Sequence, residues 1–124
     1  MQQWNTPSGF LQWGGVLLIA LGIVGFFLLG PTPQASAFGD AWWFDNVENA
    51  AHLVIGTIAL VLSFGIRNHG INTKVALIIG LFAVFAAVWG AFSPDFLGAH
   101  LEMPGDTVLH AALGMWALSS VFRK

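Results

Sequence analysis

The chain has 124 residues, enough for one domain, of which 56% are hydrophobic and only 8% charged. A water-soluble domain carries roughly a quarter ionisable residues; with a mean hydropathy of +0.76, this composition excludes one and requires a largely lipid solvent. The net charge of −2 leaves no basic surface for nucleic acid, and the lack of cysteine excludes disulfides, thiolate metal sites and thiol nucleophiles.

A membrane helix needs about 20 mostly apolar residues. Four segments meet this in chain order: Trp13 to Gly30, Trp43 to Ile66, Lys74 to Phe92, and Gly105 to Phe122. Pro31, Pro33, Pro94 and Pro104 punctuate their ends. Backbone groups in hydrocarbon must be paired within their own segment, so the spans are read as helices. The expected fold is all-α: a polytopic membrane protein with four transmembrane helices in a single domain, 1–124. Ala35-Ser36-Ala37 resembles a signal-peptidase site, but no Lys or Arg precedes it, which favours a retained first span.

This threading puts all four basic residues, Arg67, Lys74, Arg123 and Lys124, on one side. By the positive-inside rule that side is cytoplasmic, and both termini lie there. The six acids, Asp40, Asp45, Glu48, Asp95, Glu102 and Asp106, fall on the other side with His52, His100 and His110. The expected location is a bacterial cytoplasmic or thylakoid-type membrane, with the acidic loops extracytoplasmic. Trp42-Trp43-Phe44, Trp4 and Trp13 fit an aromatic interface belt, with a pigment or quinone contact as the alternative. His69 is expected in a solvated turn.

Aligning the chain with itself so that His52 meets His110 also matches Gly22 with Gly80, Phe27 with Phe85, Gly56 with Gly114, and Ala59-Leu60 with Ala117-Leu118. Glu48 meets Asp106, keeping the charge. The ordered set acid-x3-His-x3-Gly-x2-Ala-Leu points to two tandem hairpins, about 16–66 and 74–124. Parallel repeats related by an axis along the membrane normal are a known membrane architecture.

The same residues carry a resemblance. Asn46…Asn49…His52-Leu53-x2-Gly56-x3-Leu60 and Asp106-x2-Leu109-His110-x3-Gly114-x3-Leu118 resemble the paired His-Gly signatures of the DUF4383 family of small bacterial four-helix membrane proteins. The resemblance spans most of the chain and implies the four-helix fold. That family's molecular role is not established, so it implies no activity.

Residues at i and i+4 share a helix face, so Glu48 stacks one turn before His52 and Asp106 one turn before His110. Below them run Gly56, Ala59 and Ser63, and Gly114 and Ala117; helix three offers Gly80, Ala83, Ala87 and Gly90. Small stripes let membrane helices approach closely. Three readings of the acid–histidine pairs follow. In the first they are structural: acids suit the positive helix N-terminus and orient the histidines. In the second, Glu48, His52, Asp106 and His110 hold a transition metal near the outer face, with His100 and Glu102 completing the set. In the third, His52 and His110 ligate a haem or chlorophyll.

The span hydroxyls, Thr57, Ser63, Ser119 and Ser120, are too few for an ion path, and no ionisable side chain lies at mid-span. No phosphate loop, H-E-x-x-H helix or G-x-S-x-G elbow is present, so no catalytic residue is assigned. The expectation is a non-enzymatic accessory subunit in the lipid bilayer, packed against other integral membrane subunits or copies of itself. The alternative is a cofactor-binding subunit of a photosynthetic or electron-transfer complex, built on His52 and His110.

Overall fold

The computed structural model describes residues 3–39, 42–93, 95–96, 99–100 and 105–122, with the backbone alone at 96, 99 and 100. Four helices carry the architecture. Helix α1 spans Pro7–Phe27 and starts at Thr6, whose hydroxyl accepts the Gly9 N–H at 3.0 Å. Helix α2 spans Asn46–Leu60, capped by Asp45, whose carboxylate accepts the Glu48 N–H at 2.8 Å. It continues as a π-helical turn, Val61–Ile66, and stops where Arg67 turns left-handed at φ 58°. Helix α3 spans His69–Phe92, capped by Asn68 on the Ile71 N–H, and α4 spans Gly105–Phe122. A two-residue antiparallel ladder, Asp95–Phe96 (β1) against Ala99–His100 (β2), lies between α3 and α4.

The helices begin where a side chain can cap them rather than where hydropathy rises. Thus α1 starts at Pro7 instead of Trp13, α2 at Asn46 instead of Trp43, and α3 at His69 instead of Lys74. His69 is therefore helical, though exposed. Helix α4 occupies the expected Gly105–Phe122.

Among the described residues, three segments are long and apolar enough to cross a membrane: Pro7–Phe27, Asn46–Ile66 and His69–Phe92. At 1.5 Å per residue, 21 residues reach about 31 Å, matching a hydrocarbon core of about 30 Å. Helix α4 has 18 residues and carries Asp106, His110, Ser119 and Ser120, which dilute its apolar character.

Helix α1 packs along α2 and α3 along α4, and α1 also touches α3 and α4. Both hairpins close through glycine. A Cβ on Gly56 would lie 2.7 Å from the Gly15 carbonyl oxygen and 2.8 Å from Ile19. On Gly114 it would lie 2.6 Å from Val84 and 3.0 Å from the Gly80 oxygen. The two registers differ, however. Gly22 faces Asn49 and Leu53, whereas Gly80 faces Ala117 and Leu118, about two turns farther along the partner helix. Gly22 and Gly80, matched in sequence, thus occupy different levels of their hairpins.

The exterior is far more apolar than that of a soluble domain. Phe27 is 84% and Phe92 87% exposed, and Ile78, Met115 and Phe122 are also outside. Inside lie a core of Phe10, Leu11, Leu18 and Leu113, the small stripes, and the polar residues Gln12, Glu48, Asn49, Asn72, Asp106 and Ser120. An apolar exterior over an interior that takes in the polar side chains suits lipid contact. The span hydroxyls bond to their own helix: Thr57 donates to the Leu53 carbonyl, Ser63 to Ala59, Ser119 to Trp116 and Ser120 to Ala117.

Gly56→Leu and Gly114→Leu should each force their hairpin apart, destabilising the bundle by about 1–3 kcal/mol, the usual range for overpacking. Thermal unfolding in mild detergent measures this; unchanged midpoints would mean that the helices do not meet at these glycines.

Candidate functional site

The site forms at the end of the bundle where α2 and α4 begin. Local chemistry places its outer cover first. The Ser36 hydroxyl donates to the Trp42 carbonyl at 2.7 Å, and the Phe44 N–H donates to the Leu29 carbonyl at 2.7 Å. These bonds fold the first loop back over the helix ends. Trp42 then lies against Gly105, and its indole N–H donates to Asp106 Oδ1 at 3.2 Å. Phe44, 0% exposed, sits between two rings. It meets Trp42 at 5.5 Å and His52 at 5.7 Å between centroids, both edge to face. Each such aromatic contact contributes about 0.5–1.5 kcal/mol beyond burial. A continuous path, Asp106–Trp42–Phe44–His52, therefore joins the two hairpins.

Trp42 and Phe44 are not simple interface anchors, as the belt reading expected. Their polar and apolar contacts turn them inward as a plug. Trp4 and Trp13 remain largely exposed, in keeping with a belt position. Near the other end, the Trp116 indole donates to the Trp4 carbonyl at 2.7 Å, and Asn72 donates to the Ser8 hydroxyl at 2.9 Å.

Beneath the plug, a cavity of about 380 Å³ separates α2 from α3. Its walls are Leu18 from α1, Val47 and Ile55 from α2, Ile78 and Phe82 from α3, and Leu113 from α4. Its polar lining is Glu48, His52 and His110. One cavity thus gathers three of the expected site residues, two helices contributing one histidine each. Asp106 is fully buried, with one oxygen engaged by Trp42; it braces the plug and is not part of the cavity wall.

The Nδ1 atoms of His52 and His110 are both buried. A metal-ligating histidine ordinarily gives its second ring nitrogen to a carboxylate, carbonyl or water that holds the ring in place. The Asp106 backbone, one turn before, interacts with the His110 ring; among the described residues no hydrogen-bond partner reaches Nδ1 of His52. Among the described residues no three His, Asp or Glu side chains converge as a metal-binding group. His100 falls in β2 with only its backbone described, and Glu102 lies outside the described residues.

Sequence reasoning missed Asn72, and it assigned no inward role to Asn49, Trp42 or Phe44. Asn49 is 0% exposed, donates to the Phe44 carbonyl at 3.3 Å and fills the space over Gly25. Its signal was available, because Asn49 precedes His52 by three residues and so shares its face. Trp42 and Phe44 carried no local signal, since the partner of Trp42 is 64 residues away.

No protein-family model, curated protein or solved structure matches the chain.

Trp42→Phe and Asp106→Ala should each lower stability by about 1–3 kcal/mol, the range for a buried hydrogen-bonding group left without its partner. Because both remove one bond, the double variant should lose less than the sum, as a double-mutant cycle in detergent would read. Strict additivity would show that the two residues are not coupled.

Proposed function

We propose that this protein is a non-enzymatic, four-span integral membrane subunit that holds a lipid-soluble small molecule in the cavity between α2 and α3. The observation that carries this reading is the cavity itself: apolar walls, with Glu48, His52 and His110 at its polar end. Its volume lies within the range of about 300–1,000 Å³ typical of small-molecule sites, which combine apolar walls with a few placed polar groups.

A second role is compatible with the first. The exposed Phe27, Phe82, Phe85, Trp89 and Phe92 offer an apolar outer surface to lipid, to neighbouring subunits of a larger membrane complex or to a second copy. The accessory role proposed from composition is carried by this surface, and the cavity adds a cargo to it.

The proposed topology places both termini and Arg67 in the cytoplasm, with the Trp42 plug and the acidic loops outside. The two hairpins, α1–α2 and α3–α4, are proposed as tandem copies, chiefly on the likeness of α2 to α4. The chain contains no cysteine, so single introduced cysteines report sidedness without background. Cysteine at position 67 should react with a membrane-impermeant maleimide only in inverted vesicles, and cysteine at 95 only in right-side-out cells. The reverse pattern would invert the topology, and labelling of both from one face would remove the odd number of crossings between them.

Purified in mild detergent from its native membrane, the protein should carry one small organic molecule per chain, recovered by solvent extraction and identified by mass spectrometry. Its occupancy should fall several-fold in His52→Leu and His110→Leu. An extract containing only bulk phospholipid, identical in wild type and variants, would reject the cargo and leave the accessory role alone.

A further inference from the structure

We propose that the cavity holds one acyl chain of a bilayer lipid, taken in sideways from the leaflet on the Trp42 side, with the lipid's head group left outside the bundle. This inference rests on the small-molecule reading above and names the class of that molecule.

The lining comes first. Leu18, Ile55, Ile79 and Leu113 give it hydrocarbon walls. Glu48, His52 and His110 also belong to it, but both Glu48 carboxylate oxygens and the Nδ1 atoms of both histidines are buried. The His52 ring is held edge to face by Phe44. The three polar residues thus close one end of the cavity as a wall, and His52→Leu and His110→Leu act on occupancy through the shape of that end. Among the described residues no lysine or arginine lines the cavity. A charged head group would find no ion-pairing partner inside and would have to leave water to get there, a strongly unfavourable transfer. A hydrocarbon chain needs no partner.

Shape narrows the choice. From Val47 to Ile55 the cavity follows α2 for about 12 Å at 1.5 Å per residue. That is close to half of a hydrocarbon core of about 30 Å, the depth of one leaflet. A helix with its side chains is about 10 Å across, so a single turn takes about 400 Å³. The whole cavity offers about 380 Å³, and a helix of a second copy does not fit along it. A methylene group is about the size of a water molecule, which takes roughly 30 Å³ in the liquid. The cavity therefore has room for about a dozen methylenes in a row, which matches one acyl chain.

Access fixes the source. Phe44 is fully buried on His52, and Trp42 closes over Gly105 and Asp106. The end of the cavity toward water is therefore covered. The opening lies between α2 and α3, beside Val47, Ala51, Ile78 and Phe82, all four exposed. This apolar edge is of the kind that faces lipid. A chain lying in the adjoining leaflet reaches the cavity through it without crossing water.

The test uses the full chain in phosphatidylcholine vesicles containing a small fraction of phosphatidylcholine with a diazirine midway along one acyl chain. After irradiation, mass spectrometry maps the adducts. Wild type should carry adducts on Ile55, Ile79 and Leu113 inside the cavity, besides those on the exposed Ile23 and Val88. Ala51→Phe should lower the cavity adducts about tenfold by overfilling the mouth and leave those on Ile23 and Val88 unchanged. Ala51 is exposed, so this variant keeps the core packing. Adducts confined to Ile23 and Val88 and equal in both proteins would overturn the proposal. So would a cavity labelled by a diazirine-bearing long-chain alcohol but not by the phospholipid, which would replace a bilayer lipid by a free one. The two readings can fail separately. If solvent extraction returns a molecule other than a bilayer lipid that Ala51→Phe loses, the acyl-chain class falls and the cavity reading stands. If labelling and extraction both show nothing specific, both fall.

Discussion

A polar group left facing hydrocarbon is penalised by several kcal/mol, and this penalty organises the bundle. With few ionisable residues in the chain, Glu48 and Asp106 are turned inward together with Asn49, Asn72 and Gln12. Many large apolar side chains point outward instead, while Phe10, Leu11, Leu18 and Leu113 stay in the core. Helix contact then relies on small residues, and the backbones of α1 and α2 and of α3 and α4 approach through Gly56 and Gly114. The span hydroxyls bond to carbonyls of their own helices, as expected where water is scarce.

The same penalty explains why the polar end of the cavity needs a cover. Trp42 and Phe44 supply it by meeting different requirements. The indole satisfies a buried carboxylate, and the phenyl ring covers an imidazole edge. Because Trp42 belongs to the first hairpin's loop and Asp106 to α4, the cover also links the hairpins. Closing the cavity above and fastening the two halves together are thus one arrangement, and a change at Asp106 is expected to affect both.

The cavity sits between consecutive helices, α2 and α3, although only Arg67 and Asn68 separate the π-helical turn from α3. The hairpins pack within themselves, and α1 rather than α2 makes the principal contacts across to the second hairpin. Helix α2 therefore stands away from α3 and leaves an apolar cleft. A π-helical turn often marks a functional site, and here it forms the far end of the helix that lines this cleft.

Composition and spacing alone determined the all-helical class and the placing of the helices. Lipid as solvent follows from 8% charge, and the shared face of Glu48 and His52 follows from helical periodicity. The small stripes 56–59–63, 114–117 and 80–83–87–90 are buried as their spacing implied. Helix starts were less legible because Thr6, Asp45 and Asn68 set them through side-chain hydrogen bonds that hydropathy does not register. Tertiary structure decided the rest. It paired Trp42 with Asp106, set different registers in hairpins that look alike in sequence, and brought His52 and His110 to one cavity with their Nδ1 atoms buried. None of these follows from local periodicity, because each depends on how far one helix slides and leans against another.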